Sequence, residues 1–197
     1  MIGFLNHIDH QIFLFLNGMH NPFFDQVMYT ATKGILWLPV YLVFLYLVIR
    51  KYRWQSLWIL LFAALMITAS DQLANLVKDL THRYRPSQET GLEVHLVNAY
   101  KGGTWGFYSA HASNTFSVAV FLILVLGDTY RWFFIPALLW ALFMSYTRIY
   151  LGVHFPGDTL AGMAAGTLIG IVFATLSLLV IRKIQHKDST GPHTRTP

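Results

Sequence analysis

Long runs of apolar residues, separated by short polar stretches, make up most of the chain. A helix needs about 20 apolar residues to cross the hydrocarbon core of a bilayer. Five runs reach or approach this length, and they predict five membrane-spanning helices: residues 24–49, 56–77, 112–126, 132–147 and 160–181. The fold class that the pattern predicts is therefore all-α, a polytopic transmembrane helix bundle.

Residues 4–17 carry a different pattern, because polar side chains such as Asp9 and His10 interrupt the apolar ones. This mixture is typical of a helix that lies in the membrane interface. A sixth span is the alternative. The stretch lacks the basic n-region of a secretory signal, so we do not expect it to be cleaved.

The composition is that of a membrane protein. Of the 197 residues, 55% are hydrophobic and only 12% are charged, and the mean hydropathy is +0.48. A soluble domain of this length needs more polar surface, so we interpret residues 1–184 as a single integral membrane domain. Residues 185–197 are polar and are predicted to form a disordered cytoplasmic tail. The chain has no Cys, which excludes disulfides, a thiol nucleophile and Cys-based metal sites.

Basic residues at the ends of the apolar runs predict the orientation. Loops rich in Lys and Arg stay in the cytoplasm, which places residues 50–53, Arg131 and the basic residues after 181 on that side. We therefore expect a multi-pass protein of the cytoplasmic (inner) membrane whose other face meets the periplasm. The net charge of +5 then reflects topology and anionic headgroups, and we expect no nucleic acid as a partner.

Three polar clusters fall on the predicted extracytoplasmic face, each at the edge of an apolar run. They are Lys78-x6-Arg85-Pro86, Tyr108-Ser109-Ala110-His111, and Thr147-Arg148-x5-His154-x3-Asp158. The first two are joined by the longest connection, roughly residues 79–110, and a loop of this length is usually functional. Because all three clusters fall on one face, they indicate a shared site.

The first cluster contains two cations, Lys78 and Arg85, seven residues apart. If the second predicted helix continues past the membrane edge, both lie on the same face, and Pro86 then helps to end the helix. Two cations on one face can clamp a dianion. The alternative is a pair of basic residues that snorkel to the interface.

The second and third clusters each precede a predicted helix. Ser109 suits an N-cap, and the helix N-terminus beside His111 favours a bound phosphate. Pro156 fits the first position of the last helix, which puts Asp158 in the first turn and His154 just before it. A carboxylate that accepts from one ring nitrogen leaves the other nitrogen as a nucleophile or base. The alternative is a plain helix cap beside an unrelated His.

Together the clusters supply three permanent cations, two His and one carboxylate, a set suited to phosphoryl transfer. One His can act as the nucleophile and the other as the general acid. With a single carboxylate and three cations that would repel a metal ion, we predict no metal and no other cofactor.

Two further features lie inside predicted helices. Asp71, with Asn75 and Lys78 at helical spacing, is either a functional intramembrane acid or part of a buried network that anchors Lys78, and the network is favoured. The last predicted helix carries three glycines spaced by four, a pattern that lets membrane helices approach closely: Gly162, Gly166 and Gly170.

With these residues in place, the chain resembles the type-2 phosphatidic acid phosphatase superfamily of lipid phosphate phosphatases. The family signature reads Lys-x6-Arg-Pro, then Pro-Ser-Gly-His, then Ser-Arg-x5-His-x3-Asp. All spacings match, and the resemblance extends over roughly residues 23–181. Three motif residues differ from the signature: Tyr108, Ala110 and Thr147.

The resemblance implies a metal-independent lipid phosphatase that works through a phosphohistidine. It makes His154 the nucleophile, Asp158 the residue that orients it, and His111 the acid. The phosphate ligands that it implies are Lys78, Arg85, Ser109 and Arg148. The expected partners are membrane lipids and a lipid phosphate or pyrophosphate substrate, of the polyprenyl pyrophosphate, lipid A phosphate or phosphatidylglycerol phosphate class.

Two other functions stay open at this point. A phosphotransferase could pass the phosphoryl group from one lipid to another, and the motifs do not separate it from a hydrolase. A non-catalytic lipid- or anion-binding membrane protein is disfavoured, because binding needs only the cations and not the two His and the Asp.

Overall fold

The computed structural model describes residues 2–189, which form helices, short 3-10 turns and loops. The α-helices of this part of the chain are α1 Ile2–Gly18, α2 Pro22–Ala31, α3 Leu38–Tyr52, α4 Ser56–Thr81, α5 Ala110–Leu126, α6 Phe134–Tyr150 and α7 Pro156–Ser189. An isolated antiparallel bridge joins Tyr84 to Trp105 in the long connection between α4 and α5. The all-α fold predicted from the apolar pattern is confirmed.

The first predicted span, residues 24–49, is wrong as a single helix. α2 and α3 are separate helices, and a 3-10 turn, Gly34–Trp37, lies between them. Pro39 is in the first turn of α3, where its missing N–H costs nothing because first-turn N–H groups have no intrahelical acceptor. The turn is itself largely apolar, so the hydrophobic pattern did not reveal the break.

The other predicted spans differ from the observed helices mainly at their ends. α4 continues four residues beyond its predicted end at residue 77. α7 begins at Pro156, as the preference of proline for the first helical turn predicted. Residues 185–189 were predicted to be disordered but form the last part of α7, because a helix can continue beyond its apolar run through residues of good helix propensity. Residues 190–197, the rest of the predicted tail, lie outside the described residues.

α5 and α7 share the most extensive contact of any helix pair in the described bundle. A Cβ on Gly166 would lie 2.1 Å from the carbonyl oxygen of Ser113, and Gly162 and Gly170 face similar oxygens at 2.5 and 2.7 Å. No larger residue fits this separation, so the packing role predicted for the three glycines is confirmed. The hydroxyls of Ser70 and Ser113 are 2.8 Å apart and fasten α4 to α5.

The outer surface of the bundle exposes many apolar side chains. Leu57, Leu139 and Leu168, for example, are 69%, 60% and 65% exposed. Three helical stretches among the described residues are long and apolar enough to cross a membrane: Gly34–Thr81, Arg131–Tyr150 and Pro156–Lys187. The first of them contains both α3 and α4, and α5 is a shorter apolar helix. The protein is an integral membrane helix bundle, and the number of its helices that cross stays a prediction.

Helix α1 lies across one end of the bundle. Asn17 donates hydrogen bonds of 3.3 and 2.8 Å to the carbonyl oxygens of Ile149 and Tyr150, at the end of α6. Asp9 accepts a 2.7 Å hydrogen bond from the N–H of Gly157, at the start of α7. The end of α6 and the start of α7 are neighbours, so both parts of α1 contact the same end of the bundle. These contacts favour an interfacial helix over a sixth span.

Candidate active site

Four helix ends meet where α1 covers the bundle. Lys78 lies in the last turn of α4, Arg148 in the last turn of α6, and Asp158 in the first turn of α7. The N–H of Ser109 donates a 3.0 Å hydrogen bond to the carbonyl oxygen of Asp158, which joins the start of α5 to the start of α7. The structure therefore brings the three predicted clusters together at one end of the bundle.

The backbone position of Arg85 differs from the one that the sequence predicted. α4 ends at Thr81, where His82 takes a left-handed conformation (φ 48°) that stops the helix. Arg85 lies beyond the helix in extended backbone, so the prediction that it shares a helical face with Lys78 is wrong. Pro86 opens a 3-10 turn and does not end α4.

The long loop before α5 holds the side chain of Arg85 in place. Its Nε donates a 3.1 Å hydrogen bond to the carbonyl oxygen of Trp105. Gly102 has a φ of +68°, and a Cβ there would lie 2.6 Å from Nη1 of Arg85, so glycine supplies both the backbone conformation and the close approach. A Cβ on Gly106 would lie 3.2 Å from Cγ of Arg85 and also from a carboxylate oxygen of Asp158. The loop thus packs Arg85 against the third cluster.

Arg148 is the most buried of the three predicted phosphate-binding cations, with 7% of its surface exposed. Its Nε has no hydrogen-bond partner among the described residues, while Nη2 donates a 3.4 Å bond to the hydroxyl of Tyr100. Burial and the like charge of Arg148 lower the pKa of Arg85. Neighbouring buried cations are costly unless an anion neutralises them, so the pair is arranged for an anionic ligand.

Lys78 is partly buried, and it interacts electrostatically with both Arg85 and Asp71. Asp71 accepts a 2.8 Å hydrogen bond from the side-chain amide of Asn114 on α5. Asn75, predicted to belong to the same network, is exposed. The network around Asp71 therefore links α4 to α5 through Asn114 and supports Lys78 by charge.

The start of α5 carries the predicted cap. Ser109 is fully buried, and its Oγ accepts a 3.3 Å hydrogen bond from the N–H of Ala112. The free N–H groups of the first turn point out of the helix at this end and favour an anion. His111 lies in the same turn, and its Nε2 is buried without a partner in the part of the chain that the structure describes. A bound phosphate can occupy the helix end and exchange a proton with this imidazole.

His154 and Asp158 are adjacent and almost fully buried, with 2% and 0% of their surfaces exposed. Nδ1 of His154 lies 3.5 Å from Oδ2 of Asp158, which is longer than a normal hydrogen bond. Burial lowers the pKa of His154 to about 4, against the opposing effect of Asp158. The imidazole is therefore neutral at pH 7, the form that a nucleophile or base requires.

The nearest partner of Asp158 is Arg83, which the sequence analysis missed. Nη1 of Arg83 donates a 2.6 Å hydrogen bond to Oδ1 of Asp158, and Oδ2 accepts a 3.0 Å bond from the N–H of Phe155. Nη2 of Arg83 donates a 2.6 Å bond to Asp9 on α1. The family signature leaves the position of Arg83 unspecified, so the available signal was only a basic residue inside the spacer of the first cluster.

Three residues of the site region differ from the family signature: Tyr108, Ala110 and Thr147. Thr147 is fully buried, and its hydroxyl donates a 2.6 Å hydrogen bond to the carbonyl oxygen of Met144, within α6. Tyr108 is 4% exposed, and its hydroxyl is buried without a partner among the described residues. Ala110 is the first residue of α5. The hydroxyl of Thr147 therefore serves the helix backbone.

The side chains that meet here suit a phosphate. This end of the bundle holds three cations, a capped helix N-terminus and two imidazoles. The single carboxylate of the motifs is already bonded to Arg83. Charge-assisted hydrogen bonds from Arg to phosphate oxygens are among the strongest in proteins. Within residues 2–189, no group of three or more His, Asp or Glu is arranged to hold a metal ion.

Sequence comparisons find relatives that align with most of the chain. The sequence model of the PAP2 superfamily matches residues 57–182. The chain is 40% identical over 190 residues to a lipid A 4'-phosphatase of Bacteroides thetaiotaomicron, an alignment that covers 94% of this chain and 84% of the relative. It is 31% identical over 170 residues to a lipid A 4'-phosphatase of Porphyromonas gingivalis, covering 83% and 70% of the two chains.

Two solved structures share the fold. A PAP2-type phosphatidylglycerolphosphate phosphatase from Bacillus subtilis superposes with a TM-score of 0.63 at 22% identity, over 97% of this chain and 89% of the other. LpxE from Aquifex aeolicus superposes with a TM-score of 0.62 at 24% identity, over 84% and 93%. The resemblance predicted from the three polar clusters is thus confirmed, and the protein belongs to the PAP2 superfamily.

Proposed function

We propose that this membrane phosphatase of lipid phosphates acts on lipid A and hydrolyses a phosphate monoester on its sugar headgroup. The observation that carries the reaction type is the convergence of Lys78, Arg85 and Arg148 beside two imidazoles that each have a buried ring nitrogen. The choice of lipid A rests on the two lipid A 4'-phosphatases that align with most of the chain. By this analogy the 4'-phosphate is the one removed.

In the proposed reaction, the three cations and the start of α5 hold the non-bridging oxygens of the phosphate. Nδ1 of His154 faces Asp158, which leaves Nε2 to attack the phosphorus. A P–N bond forms as the P–O bond to the sugar breaks, and His111 gives its proton to the departing alkoxide. An anionic phosphate beside His111 favours the protonated imidazole that this step needs.

The second step regenerates the enzyme. His111, now neutral, takes a proton from a water molecule as that water attacks the phosphorus. The new P–O bond replaces the P–N bond, and inorganic phosphate leaves. Every charge that the transferred group carries is balanced by protein cations, so we propose that no metal ion takes part.

We also propose that the site faces the periplasm and that residues 1–184 act as a single domain. The opposite end of the bundle carries the basic residues of the connections 50–53 and 131 and of the end of α7. The side chains of Gln185 and Gln55 hydrogen-bond at 3.1 Å, and Lys51 pairs with Asp128 in the connection that contains Arg131, so these regions share one end. The positive-inside rule places that end in the cytoplasm. Lipid phosphates of the outer leaflet then reach the site while their acyl chains stay in the bilayer.

The test is phosphate release by the purified protein in detergent, from lipid A, phosphatidylglycerol phosphate and undecaprenyl pyrophosphate, with no acceptor lipid. We expect release from lipid A to be fastest, to resist exhaustive EDTA treatment and to be inhibited by orthovanadate. Lipid A that carries only the 1-phosphate should react poorly.

Three results would contradict parts of the proposal. A preference for another lipid would contradict the substrate, and loss of activity with EDTA, restored by one metal, would contradict the metal-independent reaction. Phosphate released only when a second lipid is added, and found on that lipid, would show a phosphotransferase.

A further inference from the structure

Helix α1 contacts both ends of the segment that carries His154. This segment, residues 151–155, connects α6 to α7. Asn17 of α1, only 2% exposed, bonds to carbonyl oxygens at the end of α6, and Asp9 bonds to the N–H of Gly157 at the start of α7. A helix rises about 1.5 Å per residue, so these two side chains are attached about 12 Å apart. The segment with His154 is therefore held from both sides by one rigid element.

Apolar contacts reinforce this attachment. Phe13 of α1 is fully buried, and its ring packs edge-on against Phe155 with 5.3 Å between centroids. The ring of His10 lies 4.5 Å from that of Phe155. The guanidinium of Arg83 also contacts Phe155 and lies 4.6 Å from the centroid of its ring. The residue that follows His154 is thus fixed by α1 and Arg83 together.

Two ion pairs and one carboxylate–imidazole contact lead in sequence from α1 to the proposed nucleophile, His154. Oδ2 of Asp9 accepts a 2.6 Å hydrogen bond from Arg83, which donates a second 2.6 Å bond to Oδ1 of Asp158. The other oxygen of Asp158 faces Nδ1 of His154 at 3.5 Å. We infer that Asp9 and Arg83 are positioning residues, and that α1 braces the catalytic segment. This inference rests on the proposed function.

The physical reason is the burial of Asp158, whose surface is 0% exposed. A carboxylate in that position is costly unless a cation neutralises it, and Arg83 is its ion-pair partner at 2.6 Å. Arg83 is itself fixed by Asp9, so its two Nη atoms have defined acceptors. Loss of this support lets Asp158 and His154 shift, and a displacement of about 1 Å at a reacting group can cost about 10²-fold in rate.

The experiment compares Arg83→Gln, Arg83→Lys and Asp9→Asn with wild type, and uses Glu89→Gln as a matched control. Glu89 pairs with His10 at 2.9 Å and also ties α1 to the long loop, but it makes no bond to Asp158. We expect kcat to fall about 10²-fold in Arg83→Gln with KM changed by less than about threefold. Arg83→Lys should recover at least about tenfold of that loss, and Asp9→Asn should lose about tenfold. Glu89→Gln should stay within about twofold of wild type.

Three results would overturn the inference. One is an unchanged kcat in Arg83→Gln, and another is a loss confined to KM, which would make Arg83 a phosphate ligand. The third is an Asp9→Asn variant that behaves like Glu89→Gln, and this comparison decides the matter if Arg83→Gln does not fold in detergent. Folding of each variant is checked by size-exclusion chromatography and Tm.

The rates are measured on lipid A and on p-nitrophenyl phosphate, which needs no lipid recognition. A wild-type protein active only on p-nitrophenyl phosphate would contradict the proposed substrate, and the ratios on that compound would still decide the role of Arg83. A wild-type protein inactive on both would overturn the proposed function and this inference with it.

Discussion

The two ends of α5 both meet basic side chains, but only one end satisfies them. At the C-terminal end, Lys51 donates a 2.7 Å hydrogen bond to the carbonyl oxygen of Val125, and Tyr52 donates a 2.6 Å bond to the same oxygen. Lys51 also forms an ion pair with Asp128. A cation on the terminal carbonyls of a helix complements the helix dipole and gives these groups their hydrogen bonds.

At the N-terminal end of α5, basic side chains carry nitrogens without hydrogen-bond partners. Nε of Arg148, Nε2 of His111 and Nδ1 of His154 are buried and accept or donate no hydrogen bond among the described residues. Arg85 and Arg148 also repel each other. Such groups lower stability unless a ligand compensates them. Pairing, and not the presence of cations, therefore separates the structural end of α5 from the end that we propose to bind phosphate.

The largest predicted effect follows from removing the proposed nucleophile, His154. His154→Ala should reduce phosphate release by a factor on the order of 10⁴ or more. Tyr52→Phe at the other end removes one hydrogen bond, and it should keep the rate within about twofold while stability falls by about 1 kcal/mol. Both variants are assayed for phosphate release and Tm in detergent. More than a few per cent of wild-type turnover in His154→Ala would exclude it as the covalent nucleophile.

The next effect concerns the unpaired imidazole of His111. As the general acid, it should matter most when the leaving group is a sugar alkoxide, because an alkoxide needs a proton. His111→Ala should slow monoester hydrolysis by about 10²–10⁴-fold, and it should slow pyrophosphate hydrolysis less, because a phosphate leaves more easily. The ratio of kcat/KM on the two substrate types checks this. Equal losses would mean that His111 only binds phosphate.

The sequence predicted which residues meet at this end of the bundle better than it predicted the residues that support them. Ser109 and Pro156 carry local signals, since an N-cap hydroxyl and a proline in the first turn act within one helical turn. These signals placed His111, His154 and Asp158 at helix starts, as observed. The spacing of the glycines on α7 likewise predicted the close contact with α5.

The features that the sequence did not predict depend on contacts between residues that are far apart in the chain. Arg83 is bonded to Asp9 and Asp158, 74 and 75 residues away, and no local pattern records such pairs. The exit of the chain from α4 depends on the left-handed conformation of His82, which a non-glycine residue adopts uncommonly. The sequence therefore predicted that Arg85 lies near the other two clusters, but it did so from a helical face that Arg85 does not share with Lys78.

A smaller predicted effect concerns stability and compares the cations at the two ends of α5. Arg148→Met removes a buried cation that has no carboxylate partner among the described residues, so Tm should rise by about 2–4 °C per kcal/mol gained, while activity falls at least about tenfold because the proposed charged hydrogen bond to phosphate is lost. Lys51→Met removes satisfied bonds at the other end, so Tm should fall and activity should persist. Thermal unfolding and phosphate release in the same detergent measure both quantities. A fall in Tm in both variants would remove the distinction between the ends.

The smallest effect is in the pH dependence of stability. His154 has a folded pKa of about 4, below its ordinary value of 6.5, because burial disfavours the charged imidazole. As the pH falls from about 6.5 to about 4, the unfolded chain binds a proton at this His and the folded protein does not, so this His costs stability in that window, at most about 3 kcal/mol.

The stability that the C-terminal end of α5 contributes should not change over the same pH range. The hydrogen bond from Lys51 lowers the pKa of Asp128 below its ordinary value of 3.8, so the stability that this carboxylate contributes is lost only at more acidic pH. Tm is measured between pH 7.5 and 4.5 in phosphate-free detergent buffer for wild type, His154→Gln and Asp128→Asn. The decline in Tm on acidification should be shallower in His154→Gln and unchanged in Asp128→Asn. Identical slopes in all three proteins would show that the buried imidazole is not the source of the acid sensitivity, and the site end would then differ from the other end in binding alone.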